Sequence, residues 1–355
     1  MLEIFAGKNA FITIQEQGFK QELFTNFLGA SGGPKWFTLF GLDKYLFGDF
    51  FKNRSKPLNL IGSSAGAFRT AALCQKKPVE AIERLAYIYA NTAYSKKPTP
   101  SEISTNAIEI VDTLFGEYGA KEVIANKDFK AHFLVAQCNG LTSFDNQLLQ
   151  GLGLLSSLVL NKIDRRLLIQ QYQRYIFKQA SSDLSIDDPY HFKNTYCDLT
   201  ENNIKAAVLA SGSIPLIMSG VKHINGVKQS TYRDGGIIDY HFDFLLTQKN
   251  QTTEQGLTLY PHFTNTPKAG WFDKNSRRKV RSSSYDNTVL LAPSAKFINS
   301  LPFNKIPDRT DFTNMETIKR ITYWESVLQE TDRLAESFHE LIYKQDISSI
   351  RPFQP

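Results

Sequence analysis

The sequence predicts an α/β fold: three layers, α/β/α, around a mainly parallel central sheet. Three observations predict it. Short apolar runs of β character alternate with amphipathic helical patterns along the 355 residues. Two glycine-rich turns, Gly29-Ala30-Ser31-Gly32-Gly33 and Gly62-Ser63-Ser64-Ala65-Gly66, each join an apolar run to a helical pattern. The composition, 42% hydrophobic and 21% charged, is that of a chain able to build a large buried core.

The elements follow in chain order. Residues 9–17 alternate and read as a strand, and residues 24–28 as a second. Pro34 stands where the first helical residue should, because its missing N–H is no loss there. Residues 35–46 then place Trp36, Leu39, Phe40 and Leu46 on one apolar side. Residues 58–61 form the next strand and 65–72 a helix. Residues 78–94 and 102–115 are amphipathic helices, and 132–136 a short buried strand. Residues 148–168 are apolar, helical and rich in leucine. Thr200 caps a helix over 204–209, residues 221–232 form a hairpin around Asn225-Gly226, and 287–291 are another strand. A last helix spans 314–344, with Ile321, Trp324, Leu328, Thr331, Ala335, Phe338 and Ile342 stepping by threes and fours. Such a stripe docks on the core. The expected division is therefore a catalytic domain over 1–312, with 313–355 packed on it and not independent.

Composition excludes several classes. The net charge of +6 is too small to indicate nucleic acid, so none is expected as a partner, but it suits an anionic lipid surface. Cys74, Cys138 and Cys197 are far apart and odd in number, which argues for a reducing compartment. Neither a zinc spacing nor any other metal-ligand cluster is visible, so neither a metal nor another cofactor is expected. No basic, apolar leader opens the chain, and no uncharged apolar run approaches the length of a membrane span. A cytoplasmic protein follows by elimination.

The chemistry is carried by glycines, two serines and an aspartate. Gly-x-Ser-x-Gly between a strand and a helix is the setting of a nucleophile elbow, and the motif occurs twice. Ser31 sits early in its loop, since the helix starts only after Gly33, whereas Ser64 sits where strand turns into helix. The competing reading of Ser64 is an N-cap in an ordinary βα turn. A serine needs a base. None of the histidines (His132, His191, His223, His241, His262 and His339) lies in a recognisable motif. Asp234, followed by Gly235 and Gly236 at the end of a strand, is better marked. Burial there would raise its pKa and suit it to accept a proton. Asp239 is the fallback acid, and Asp234 itself could be a structural turn residue.

In this order the motifs resemble those of the patatin-like phospholipases, serine acyl hydrolases. The loop Gly29-Ala30-Ser31-Gly32-Gly33-Pro34-Lys35, the elbow Gly62 to Gly66, the segment Ala210-Ser211-Gly212-Ser213-Ile214-Pro215 and Asp234-Gly235-Gly236 carry the resemblance. It implies a patatin-like fold, Ser64 as nucleophile, Asp234 as general base, and an oxyanion hole from Gly32, Gly33 and Lys35. Successive glycines before a helix leave N–H groups converging on one spot, which suits that role. The family loop usually reads Asp-Gly-Gly-Gly-x-Arg. Here the leading acid is absent and Lys35 replaces the arginine, keeping the charge without the bidentate fork. The implied activity is cleavage of acyl esters of phospholipids or lysophospholipids. The alternatives are an esterase with a Ser-Asp-His triad and a non-catalytic lipid-binding protein on the same fold. Trp271 and Phe272 beside Arg277, Arg278, Lys279 and Arg281 suggest peripheral contact with an anionic membrane. The competing reading is a solvated basic loop whose aromatics are buried.

Overall fold

The computed structural model describes residues 1–248 and 256–355. Its strands are β1 (Leu2–Ala6), β2 (Phe24–Gly29), β3 (Leu58–Ser63), β4 (Phe129–Cys138), β5 (Tyr172–Lys178), β6 (Leu184–Asp187), β7 (Asn194–Asp198), β8 (Thr231–Asp234), β9 (Leu245–Gln248), β10 (Leu257–Pro261), β11 (Thr288–Pro293) and β12 (Ile350–Pro352). Apart from the β6–β9 pair, they form one mixed sheet in the order β12-β1-β11-β10-β2-β3-β4-β5-β7, with β8 also on β4. From β11 to β4 all neighbours are parallel. Helices flank the sheet, so the predicted architecture is the observed one. β2 and β3 are almost wholly buried, which is why they read as continuous apolar runs and not as alternation.

One pairing pattern positions the site. β5 runs antiparallel along β4 from His132 to Cys138 and fills one edge of it. The other edge is shared. β3 pairs in parallel with Phe129 to Leu134, and β8 pairs antiparallel with Val135 to Cys138. β3 and β8 therefore run head-on along the same edge. Their C-terminal ends meet where Ser63 opposes Leu134 and Asp234 opposes Val135. Residues 170 positions apart in sequence become neighbours for that reason.

Several predicted elements are corrected. Residues 9–17 are not a strand but part of the helix Lys8–Gln17, which buries Ala10 and Ile14 one turn apart. The sheet position is occupied instead by β1, which pairs with β11 and β12. Tertiary packing here overrides the β-branched character of the segment. The helix predicted over 35–46 is three short pieces, a 3₁₀ turn Gly33–Leu39, α-helix Phe40–Tyr45 and a π-turn Leu46–Phe50. Thr200 does not cap with its hydroxyl; the helix starts at Ile204 behind Asn203, whose side chain accepts the Thr200 N–H at 2.9 Å. The hairpin over 221–232 is a loop pinched by a single bridge, Val221 to Tyr232. The leucine-rich helix ends at Ile163, where Asp164 caps a separate 3₁₀ turn.

The C-terminal helix is two helices, Thr317–Glu330 and Asp332–Lys344. The break is at Thr331, which is buried and takes the Gly41 N–H on its hydroxyl at 2.9 Å. Trp324, Thr331 and Phe338 are buried as the stripe predicts. Around them, however, the buried face runs through Tyr323, Val327, Leu334 and Leu341, while Ile321, Leu328, Ala335 and Ile342 are half-buried. Trp324 donates its indole N–H to Asp311 at 3.0 Å, and β12 closes the sheet edge beside β1.

Candidate active site

Ser64 directly follows β3 and opens the helix Ala65–Leu73 at φ 54°, ψ −125°. A serine held in that sparsely populated region costs of order 1–3 kcal/mol, so the surroundings must over-determine it. They do so through interlocked backbones. A Cβ on Gly66 would lie 1.8 Å from the Gly29 carbonyl oxygen, and one on Gly62 2.3 Å from that of Gly66. The first glycine of one motif thus packs on the last glycine of the other. The elbow helix is anchored from its far side by Arg69, which is fully buried and grips Asp43 through two hydrogen bonds of 2.8 and 2.6 Å. The Ser64 amide donates to the Ser211 hydroxyl at 2.9 Å, and Ser211 donates to the Leu134 carbonyl at 2.7 Å. The Ala-Ser-Gly-Ser-Ile-Pro segment therefore braces the elbow from behind.

Ser64 and Asp234 are brought together. The Ser64 hydroxyl donates to Asp234 Oδ2 at 2.6 Å, and the Gly236 N–H donates to Oδ1 at 2.7 Å. Burial raises the Asp234 pKa, against the lowering effect of the Ser64 and Gly236 hydrogen bonds and of the Lys274 and Arg309 charges. Ser31 is elsewhere in the arrangement. It lies beneath the elbow, buried, donating to the Ser63 carbonyl at 3.3 Å and the Ser63 hydroxyl at 3.1 Å. Asp239 is taken by Arg174, which binds both its oxygens at 2.6 and 2.7 Å.

No histidine among the described residues hydrogen-bonds Ser64 or Asp234. His241 accepts the Lys268 N–H at 2.9 Å, His262 bonds within its own turn to Thr264, and His132 contacts Ser182 at 2.7 Å. Burial holds His241 well below the usual imidazole range and His262 at about 3, so both are neutral.

The glycine loop faces Ser64 across a cavity of about 250 Å³ lined by Gly32, Gly33, Lys35, Ser64 and Asp234. Gly33 has φ +57°, a left-handed turn suited to glycine. The amides of Gly32 and Gly33 have no acceptor among the described residues, whereas the Lys35 amide closes the turn onto Gly32 O at 3.4 Å. The Lys35 amide is thus already bonded, and its ammonium pairs with Asp308 at 3.2 Å. A second cavity of about 350 Å³ also reaches Ser64. It is lined chiefly by apolar groups, among them Phe68, Ile103, Ile110, Ile214 and Met218.

Sequence reasoning missed Lys274 and Arg309, which line the first cavity from loops beyond the motifs. Nothing in their local pattern marks them. The loop predicted to touch membrane is partly turned inward. Arg278 pairs with the buried Asp273 at 2.7 Å and donates to the Asn161 carbonyl at 2.7 Å. Trp271 and Phe272 are half-buried, while Arg277, Lys279 and Arg281 are exposed.

The model of a family described as patatin-like phospholipase matches residues 31–241, a span that holds Ser64, Asp234 and the glycines facing them. No curated protein matches the chain. Among solved structures, the type III effector protein ExoU aligns at 12% identity and a TM-score of 0.34, over 88% of this chain and 53% of its own. VipD from Legionella pneumophila aligns at 10% identity and 0.38, over 95% and 70%. Human GIVD cytosolic phospholipase A2 aligns at 9% identity and 0.40, over 92% and 60%. This chain thus spans about half the length of the ExoU chain.

Proposed function

The chain belongs to the patatin-like phospholipase family, and on that premise we propose that it hydrolyses acyl esters of phospholipids or lysophospholipids with a Ser64–Asp234 dyad. The observation that carries the reading is the 2.6 Å hydrogen bond from the Ser64 hydroxyl to a buried carboxylate. Asp234 takes the hydroxyl proton as Ser64 Oγ attacks the ester carbonyl. The Gly32 and Gly33 N–H groups receive the oxyanion. The C–O bond to the alcohol breaks, and Asp234 returns the proton to the leaving oxygen. Water, deprotonated by the same carboxylate, then attacks the acyl-enzyme, and the fatty acid leaves as Ser64 recovers its proton. The apolar cavity suits the acyl chain, each buried methylene contributing about 0.8 kcal/mol. The cations Lys35, Lys274 and Arg309 suit an anionic head group.

The test is hydrolysis of a short-chain ester and of a phospholipid by the wild type and two serine variants. Ser64→Ala is expected to lose at least about 10³-fold of activity on both substrates. Ser31→Ala, which removes only a brace beneath the elbow, should stay within about tenfold. The reverse ranking would overturn the assignment.

A pH effect on binding follows from Lys274. Burial, with Arg309 nearby, brings its pKa down to about 8. Its charge is present below that value and fades above it. KM for an anionic phospholipid should therefore rise as pH passes about 8, while KM for a neutral short-chain ester stays level. Equal profiles for the two substrates would remove Lys274 from head-group recognition.

A further inference from the structure

The helix Gln147–Ile163 is packed inside out. Its buried positions are Gln150, Gly153, Ser157 and Asn161, spaced by threes and fours. Its exposed face carries Leu148, Leu152, Leu155, Leu158, Val159 and Ile163, between 47% and 73% exposed. The polar side is anchored by specific bonds. Gln150 accepts the Leu216 N–H at 2.5 Å, Ser157 donates to Gln171 at 2.6 Å, and Asn161 donates to Asp273 at 2.8 Å. The helix is thus held by hydrogen bonds with its leucines toward solvent, the reverse of an ordinary surface helix. An apolar patch on this scale marks an interaction surface.

We infer that this face docks on an anionic lipid bilayer and delivers substrate from it. Charge selects the occupant. The helix contains no acidic residue, and Lys162 is its one cation. The loop bonded to Asn161 adds the exposed Arg277 and Lys279 at the same end. Neither these two nor Lys162 makes an ion pair among the described residues. Asp145, just before the helix, is already bound by Lys222 at 3.0 Å and by Arg233. Leucines flanked by cations suit acyl chains beneath anionic head groups. A second copy docked by the same face would bring those cations only Asp145 and Asp164, both already paired, the latter with Arg166. Position agrees. Gln150 is bonded to Leu216, and the adjoining Ile217 lines the apolar cavity that reaches Ser64. Leu216 and Ile217 are themselves partly exposed, so apolar surface continues from the helix toward that cavity.

The inference uses the proposed hydrolase only for the direction of substrate entry, so binding is read separately, on Ser64→Ala full-length chain. That protein should co-sediment with vesicles of mixed phosphatidylglycerol and phosphatidylcholine. Adding Leu148→Ser, Leu155→Ser and Val159→Ser together should weaken binding at least about tenfold. Arg277→Ser with Lys279→Ser should weaken it on the anionic vesicles and leave binding to pure phosphatidylcholine unchanged. With Ser64 restored, the leucine and valine variant should hydrolyse a soluble ester within about twofold of wild type, since its altered side chains point to solvent. Vesicle binding by a chain that cleaves no ester would support docking and overturn the hydrolase. Failure of the Ser64→Ala chain to bind vesicles would overturn docking, as would undiminished binding by the leucine and valine variant. A wild-type dimer that this variant turns into a monomer, with vesicle binding intact, would assign the face to a second copy.

Discussion

Replacing Asp234 with asparagine is expected to lower kcat for ester hydrolysis by about 10³- to 10⁴-fold, with KM little changed. Asparagine keeps the size of the side chain, and its one carbonyl oxygen can still accept the Gly236 N–H while its NH2 turns to the Ser64 oxygen as a donor, but it cannot take a proton. The loss corresponds to about 4–5.5 kcal/mol of transition-state stabilisation. The pH profile supplies an independent reading. Asp234 must be ionised to act as base, and burial raises its pKa above the ordinary aspartate value. The rate should therefore fall as pH drops through that raised pKa, and the acid limb should vanish in Asp234→Asn. His241→Gln and His262→Gln should remain within about tenfold of wild type, because both rings are neutral and bonded elsewhere. A histidine replacement that matches Asp234→Asn in loss, and removes the acid limb with it, would establish a triad and end the dyad proposal.

Gly66→Ala is expected to be among the most disruptive single methyls at the described glycines. Its Cβ would fall 1.8 Å from the Gly29 carbonyl oxygen and 2.9 Å from that of Ala30. Both obstacles are backbone, so neither can swing aside. Relief requires the elbow helix and β2 to separate, opening the glycine loop and the elbow together. A destabilisation of more than about 3 kcal/mol follows, read as a lowering of the thermal midpoint by roughly 4 °C or more. Activity should fall with it. Gly151→Ala is the matched control. A Cβ there meets nothing within 4 Å, and the residue lies in a helix, so stability should hold or rise by about 0.5–1 kcal/mol. Melting of Gly66→Ala within a degree or two of wild type would show that the interlock of Gly29 and Gly66 is not structural.

The elements most legible in the sequence are those whose pattern and partners coincide. β2, β3 and the helix Ala65–Leu73 are buried as apolar runs, and glycines mark their junctions. Residues 9–17 misread because alternation of apolar and polar groups over so short a span fits two periods. The sheet settles it by giving the place between β11 and β12 to Leu2–Ala6. The C-terminal stripe is continuous in sequence, yet the chain breaks at Thr331, because Gly41 presents an amide there for its hydroxyl. No local signal announces a partner 290 positions away.

The site divides in the same way. Ser64, Asp234 and the glycine loop are legible because each needs residues with unusual backbone demands, and those leave marks in sequence. Lys274 and Arg309 leave none, since a lysine or arginine in a loop is ordinary until the fold aims it into a cavity. The leucine-rich segment shows the limit most clearly. Its composition foretells a helix, but periodicity cannot say which face is inside. By itself the sequence determined the α/β class and the order of the motifs, and it marked Asp234 as the expected partner of Ser64. Only the tertiary structure decided that β3 and β8 meet end to end on β4, bringing Ser64 and Asp234 into hydrogen-bond contact, and that the leucines of residues 147–163 face outward. The physical reason is that backbone constraints are written locally, whereas proximity and exposure belong to the packed chain as a whole.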